Sequence, residues 1–437
     1  MDFRLALASC DAAGEVTEVD EPIIRARIPE RVRSEERRGN RALVFRRVSD
    51  ADAAIVGNLY GSRERVCRSL AAKGYPELFA RLDRAIAHPA PIVRRPDARD
   101  AWEVRSSPDL TRLLPAMRYS RDDVTPYLTS GILLARDPGS GEHHVCFVRM
   151  AIAGGAKLLV NPATARIRRI VESTVGRGKP LDVAILIGAP TEVTLMACVG
   201  VGDGVDKLEV AQSVAGGGLA FTDDPLPLPV STEYVLTGRI VPSYEQEGPV
   251  GDQKGLYSVR ERNPVCIVDA VRMRRDPHFH SISGGVSREH IELVTLGPRA
   301  ALERIRRETP ELLRYELPFY AGGRLAVLVV ADGFRPATLA ERLWKISSVR
   351  GFVAVNRDVK ARSASDLLWA IVERASQAEQ FAFSRSGMPG VKPGKFLIDA
   401  TETDLEDWNH RRIEVYREPG RRPGDGIAPV PDNMYAN

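Results

Sequence analysis

The sequence predicts a multidomain α+β protein, and three observations carry that prediction. Its 437 residues allow about two to four domains at roughly 150 residues each, enough to bury large cores without disulfide staples. Short apolar runs bounded by turn residues crowd the middle of the chain, the pattern of a small β-barrel or sandwich. Strand and helix patterns then alternate toward the C-terminus, which implies a parallel sheet. The chain divides accordingly into an α/β region over 1–105, a β-rich block over 106–297, a connecting helix within 298–320 and an α/β domain over 321–437.

In the first part, the apolar runs 42–45 and 53–56 read as strands. Val66, Leu70 and Leu78 fall near helical spacing, with Gly74-Tyr75-Pro76 marking a break between them. Residues 88–96, rich in proline, read as a linker. In the second part, strands are expected over 128–134, 145–152, 183–187, 234–241 and 265–271, and Asp137-Pro138-Gly139-Ser140-Gly141 reads as a hairpin connection. One helix interrupts them over 165–175, with Ile167, Ile170 and Val171 on one face. After Pro298, Ala301, Leu302 and Ile305 mark a helix that stops near Pro310. The third part alternates a strand (325–330), a helix (338–346), a strand (352–355) and a helix (365–375). The tail 418–437 is rich in Pro, Gly and Arg and predicts an extended or disordered arm.

Composition narrows the function. The 62 Lys and Arg residues against 58 Asp and Glu leave a formal charge of only +4, whereas a dedicated nucleic-acid binder carries a strong basic stripe. A small-molecule partner is expected instead. Cys10, Cys67, Cys146, Cys198 and Cys266 are odd in number, widely spread and never in a CxxC, so neither a disulfide framework nor a zinc site is suggested, and a cytoplasmic, reducing compartment fits. The N-terminal stretch carries acids where a secretory signal needs an apolar run. The most apolar stretch, 183–201, is broken by Gly188, Pro190, Thr191 and Glu192, which is wrong for a membrane span.

The most informative segment is Glu245-Gln246-Glu247-Gly248-Pro249-Val250-Gly251-Asp252. Its Gly and Pro residues predict a bent loop that fits neither helix nor regular strand and can aim Glu247 and Asp252 into one cavity. Paired carboxylates in a dry site repel, which raises one pKa and leaves a proton for general acid work. A solvated loop also carries acids, and commonly. Arg149 lies in the otherwise apolar run 145–152, where a guanidinium needs a carboxylate or phosphate partner; a structural salt bridge at a barrel rim is the other reading. His143 and His144 are adjacent, so on a strand only one of them faces a given site. His144 also lies five residues before Arg149, which puts the two on opposite faces unless a bulge intervenes. Gly200-Val201-Gly202-Asp203-Gly204 reads as a turn with no helix of dinucleotide-binding pattern behind it, and His278 and His280 read as loop or packing residues.

Taken together these segments resemble the UbiD-type decarboxylase family. The resemblance runs through Asn58-Leu59-Tyr60-Gly61-Ser62-Arg63-Glu64-Arg65-Val66, Gly178-Lys179-Pro180-Leu181-Asp182-Val183, Arg275-Asp276-Pro277-His278-Phe279-His280-Ser281 and Leu367-Leu368-Trp369-Ala370-Ile371, and Glu247-Gly248-Pro249-Val250-Gly251-Asp252 is its most specific element. It implies a central split β-barrel of flavin-reductase-like type over 106–297, prenylated FMN as cofactor, and non-oxidative, reversible decarboxylation of an α,β-unsaturated or (hetero)aromatic acid. It further implies a homodimer or larger homo-oligomer supplied with cofactor by a flavin prenyltransferase. The family's catalytic arginine and two acids fall on Arg149, Glu247 and Asp252: Arg149 to clamp the substrate carboxylate, Glu247 to hold that arginine, Asp252 to deliver the proton that replaces carbon dioxide. The family also holds a divalent metal, manganese, with K+, against the cofactor phosphate, the divalent ion through an asparagine, a histidine and a glutamate. Those positions fall on His144, Arg166 and Lys207. His144 can still ligate, whereas Arg166 and Lys207 stay protonated and suggest a direct grip on the phosphate. Two alternatives stand beside this reading: a flavin-binding protein of the same fold without decarboxylase activity, and an enzyme that uses a different phosphate-bearing ligand.

Overall fold

The structure is a computed structural model and describes residues 1–385, 391 and 393–402. Its centre is a curled, half-barrel sheet of nine strands in which every neighbouring pair is antiparallel. From one edge the order is Tyr127–Leu128, Met150–Ile152, Lys157–Val160, Tyr257–Met273, Tyr234–Gly251, Leu181–Ile187, Ile132–Arg136 and His143–Phe147, with Glu103–Ser106 also on Tyr257–Met273. Leu181–Ile187 is buried almost throughout, so its sequence is a continuous apolar run instead of an alternation. The expected strands 128–134 and 145–152 each break in two, at 129–131 and at 148–149. Hydrogen bonding resumes across both breaks, where Val148 N donates to Gly131 O. Asp137–Gly141 makes the predicted hairpin, closed by Gly141 N on Asp137 O at 2.8 Å.

The expected strands 234–241 and 265–271 are the inner ends of a much longer ribbon, of 18 and 17 residues. Its outer half is only part-buried, so no apolar run marks it in the sequence. The segment Glu245 to Gly251 therefore lies within a strand, and the predicted bent loop is corrected to a strand with register shifts on either side of Glu247. Such bulges turn a side chain out of the regular alternation.

The N-terminal layer is a sheet of Val16–Val19, Ala42–Phe45, Ala54–Gly57 and His278–Ser281. The fourth strand comes from the central block, pairs in parallel with Ala54–Gly57, and places His278 and His280 on a strand and not in a loop. Helices Arg63–Ser69 and Tyr75–Ala87 flank the predicted break, and the Ser62 side chain caps the first of them. The single helix expected in the central block, observed as Ala165–Thr174, is joined by Thr191–Cys198 and Lys207–Val214. The reading of Gly200–Gly204 as a turn with no helix of dinucleotide-binding pattern behind it meets the helix Lys207–Val214 close behind it.

The helix expected after Pro298 starts ten residues earlier, at Arg288, where Ser287 accepts from His290 N; it runs to Glu308 with Pro298 inside it. Proline costs an interior helix one hydrogen bond, and tertiary packing holds this one: a Cβ on Gly297 would lie 2.9 Å from Cys198 O. The C-terminal sheet has the order Leu312–Glu316, Leu325–Val330, Gly351–Val355, Phe396–Ala400, Phe381–Phe383, with a parallel centre and antiparallel edges. Ala364–Arg374 is the expected helix, and the one expected at 338–346 is a 3-10 turn, Pro336–Leu339, running into Ala340–Trp344. The arm expected over 418–437 lies outside the described residues. Among the described residues no helix is long and apolar enough to cross a membrane.

Candidate active site

Arg149 and Glu247 come together. Nε of Arg149 donates to Oε1 of Glu247 at 3.0 Å and Nη2 to Oε2 at 3.1 Å, a two-point pair with the carboxylate fully buried. A buried charge needs both a counter-charge and filled lone pairs, and Glu247 has both, since Asn263 Nδ2 also donates to Oε2 at 2.5 Å. The backbone explains the aim of Glu247. One register shift precedes it and another follows before Val250, and Gly248 between them has φ +102°, where a Cβ would lie 2.6 Å from Ser258 O. Only glycine takes that conformation without strain. Arg149 sits in the gap between His143–Phe147 and Met150–Ile152, outside the alternation that holds His144, so the five-residue spacing is no obstacle.

Asp252 stands at the ribbon's tip, where its N–H donates to Leu256 O at 2.9 Å and its carbonyl accepts from Gly255 N at 3.0 Å. Its carboxylate is 20% exposed, with Lys254 Nζ at 3.6 Å. The expectation of two carboxylates repelling in one dry pocket is therefore corrected. Glu247 has Arg149 and Asp252 has Lys254, so the two differ in burial and in counter-ion.

Three residues near this pair carried no motif. Asn263 is fully buried and its Oδ1 has no partner. Tyr127 is fully buried with an unpartnered hydroxyl, and burial, then the field of Glu247, push its pKa up. The His290 pKa is lowered, first by burial, with Asp252 pulling it up and Arg149 down. Its Nδ1 is 3.2 Å from Gly285 O. Helical spacing from Ser287 would have placed His290, had the helix start been recognised.

His144, Arg166 and Lys207 form a second group. His144 is buried with both ring nitrogens unpartnered, while its neighbour His143 faces the other way, onto Asp206 at 2.7 Å. Burial, then Lys207 and Arg166, push the His144 pKa down to about 2. Arg166 gives Nη1 to Gly202 O and Val205 O, at 3.3 and 3.4 Å, and approaches Glu142 at 3.6 Å; its Nε has no partner. Lys207 is different. Its Nζ donates to Val145 O at 2.9 Å and Met196 O at 2.8 Å, and burial lowers its pKa to about 8. Among the described residues no group of three or more His, Cys, Asp or Glu can hold a metal ion.

The two groups are linked through the backbone. Five residues separate His144 from Arg149 and five separate Asn161 from Arg166, and Asn161 N donates to Arg149 O at 3.2 Å. Both groups contain buried atoms without a hydrogen-bond partner: the His144 nitrogens and Arg166 Nε in one, Tyr127 Oη and Asn263 Oδ1 in the other, with Asn161 Oδ1 on the segment that links them. Native proteins seldom leave such atoms unsatisfied, so the residues present fit polar ligand atoms at both groups, an anion beside Arg166 among them.

Residues 93–287 match the family model of the 3-octaprenyl-4-hydroxybenzoate carboxy-lyase Rift-related domain, and residues 7–86 match that of the N-terminal domain. Together they span more than half of the chain, which belongs to the UbiD family. It is similar to the anhydromevalonate phosphate decarboxylase of Methanothermobacter thermautotrophicus, with 25% identity over 378 residues that cover 83% of this chain and 86% of that one. Its structure is similar to an evolved dimeric form of the UbiD-class enzyme HmfF from Pelotomaculum thermopropionicum in complex with prFMN, at a TM-score of 0.84 and 25% identity over 98% of this chain and 100% of that one. HmfF in complex with FMN matches at a TM-score of 0.83 and 26% identity, over 95% and 97%. The apo 3,4-dihydroxybenzoic acid decarboxylase of Enterobacter cloacae shares the fold, at a TM-score of 0.80 and 21% identity over 95% and 97%.

Proposed function

We propose that this protein decarboxylates an α,β-unsaturated or (hetero)aromatic acid, reversibly and without net oxidation, with prenylated FMN as its cofactor. The observation that carries the proposal is the two-point Arg149–Glu247 pair. A guanidinium has five N–H donors, and Glu247 engages only Nε and one Nη2 hydrogen, so Arg149 is fixed in direction with donors left for a substrate carboxylate. Holding that carboxylate beside a buried, already neutralised pair keeps water away from the bond that breaks. When bound, the prenylated flavin supplies the electron sink for the pair released as the carbon–carbon bond opens. Asp252, part-exposed at the ribbon's tip, gives its proton to the carbon that loses carbon dioxide and is recharged from solvent.

His144 and Arg166 would hold the phosphate end of the cofactor, with Arg149 near the reacting end. The relatives named above include a dimeric form, which supports a homodimer, and a flavin prenyltransferase would supply the cofactor. All five cysteines are free, in keeping with a reducing cytoplasm.

One observation favours a narrower substrate class. The similar decarboxylase from Methanothermobacter acts, by its name, on a phosphorylated acid, and here a cleft of about 780 Å³ is lined by Arg33, Arg37, Arg118 and Arg121 against the single acid Glu30, with Arg25 and Asp50 paired to each other. It adjoins the catalytic ribbon: Ser120 packs on Gly251, next to Asp252, and Arg33 Nη2 donates to Gly284 O at 2.7 Å. An acid with a second anionic group suits that lining.

The test is to co-express the chain with a flavin prenyltransferase, verify cofactor loading by visible and mass spectra, and assay carbon dioxide release from a panel of acids with and without a distal phosphate. Release from at least one unsaturated or aromatic acid is expected. A loaded enzyme inert toward the whole panel overturns the proposal.

A further inference from the structure

We infer that this chain seats its cofactor's phosphate on the Arg166 guanidinium and the neutral His144 ring, with the Lys207 side chain held behind them, in place of a divalent metal ion. The inference rests on the flavin reading above and concerns how the flavin is held.

The donor set does not suit a metal. A metal ligand must offer a lone pair, and of the three residues only His144 has one, since Arg166 and Lys207 present hydrogens alone. Of the nearby acids, Asp206 holds His143 and caps the helix that Lys207 begins, while Glu142 is drawn to the Arg166 guanidinium at 3.6 Å with its Oε2 making no hydrogen bond. The positive charges of Arg166 and Lys207 would also repel a divalent ion.

The donor set does suit a dianion. Arg166 lies in the first turn of the ten-residue helix Ala165–Thr174, and Lys207 opens the eight-residue helix Lys207–Val214. Cations at helix N-termini oppose the helix dipole, an arrangement that a bound phosphate converts from unfavourable to favourable. The independent sign of a ligand is the set of unpartnered atoms: Arg166 Nε and both nitrogens of His144, on side chains more than nine-tenths buried. Lys207 has given two of its three N–H groups to backbone carbonyls, which pins its charge in place.

To test this, full-length protein purified with EDTA is titrated with FMN and with riboflavin, which lacks the phosphate, followed by flavin fluorescence with and without Mn2+. Metal in the FMN complex is counted by mass spectrometry. FMN should bind far more tightly than riboflavin, its affinity should change less than about twofold with Mn2+ or EDTA, and the complex should hold well under one metal ion per flavin. Arg166→Met should weaken FMN by roughly 30-fold and leave riboflavin unchanged, as loss of a charge-assisted hydrogen bond does, with Arg166→Lys recovering part of the loss. The double substitution Arg166→His with Lys207→Glu should make FMN binding depend on Mn2+. Stoichiometric metal with EDTA-sensitive binding, or equal affinity for FMN and riboflavin, overturns the seat and leaves the decarboxylase reading standing. Failure to bind any flavin in every condition overturns both.

Discussion

Replacing Glu247 by Gln tests the site most directly, and the hydrogen bonds set the expected size of the effect. Both oxygens of Glu247 accept, Oε1 from Arg149 Nε and Oε2 from Arg149 Nη2 and Asn263 Nδ2. Glutamine offers one acceptor and one donor. With its oxygen at the Oε2 position it keeps two bonds, and its amide then faces Arg149 Nε, donor against donor. The reverse orientation is worse, because the amide would face two donors. The better orientation still loses one charge-assisted bond and the counter-charge, about 1.5–3 kcal/mol for the bond and at most about 3–5 kcal/mol if the pair is wholly broken. A loss of ~2–4 kcal/mol in transition-state binding corresponds to a fall of roughly 30- to 1,000-fold in kcat/KM. Carbon dioxide release by the cofactor-loaded variant measures it, with flavin fluorescence and far-ultraviolet circular dichroism as controls for the fold. A well-folded, loaded variant within about threefold of wild type would remove Glu247 from the mechanism.

Asp252→Asn should slow turnover about 100- to 10,000-fold, the range for loss of a general acid, and slow to a similar extent the exchange of the product's new hydrogen for solvent deuterium; exchange at the wild-type rate would assign the proton to another group. Glu36 is buried beneath Arg288 N, and burial raises its pKa from 4.5 to about 7, so the folded state holds a proton that the unfolded chain releases. Its contribution is fully present below about pH 4.5 and is lost as pH rises through about 7. Glu36→Gln should accordingly match wild type in thermal melts near pH 4.5 and exceed it at pH 8, and equal melts at both pH values would contradict this. Arg33→Ala with Arg121→Ala should raise KM about tenfold for an acid with a distal phosphate and leave an acid without one unchanged; equal effects on both would disconnect the cleft from the substrate.

The sequence made legible what periodicity and turn chemistry encode. The runs 325–330 and 352–355 are the parallel centre of the C-terminal sheet because strands covered on both faces are apolar throughout. Thr191–Cys198 escaped because nearly all of it is buried, which leaves no polar face to create a helical period. The same loss of contrast hid the start of Arg288–Glu308, where Pro298 stood out as a boundary while buried packing carries the helix through it. Glu247 was found by its glycines and proline, yet they pointed to a loop. A bulged strand uses the same residues, and the pairing that distinguishes the two is non-local. Asn263 lies on the opposite strand of the ribbon and Tyr127 on the sheet's edge, so no local spacing connects either to Glu247.

The three-dimensional arrangement separates two residues that looked equivalent. Arg166 and Lys207 both read as phosphate grips, but Lys207 Nζ ties Val145 O to Met196 O, joining a sheet strand to the helix Thr191–Cys198. Lys207→Met would remove both of these bonds, a cost of about 1–1.5 kcal/mol or more for each, offset in part because the ammonium no longer has to be buried. Arg166→Met leaves no comparable framework gap, since its carbonyl contacts at 3.3 and 3.4 Å are long. The Lys207 variant should therefore unfold at lower urea with a modest loss of FMN affinity, and the Arg166 variant should keep its urea midpoint and lose affinity sharply. Urea titration and FMN fluorescence on both proteins give the comparison. A Lys207→Met protein as stable as wild type that has lost FMN as completely as Arg166→Met would place the ammonium on the ligand itself.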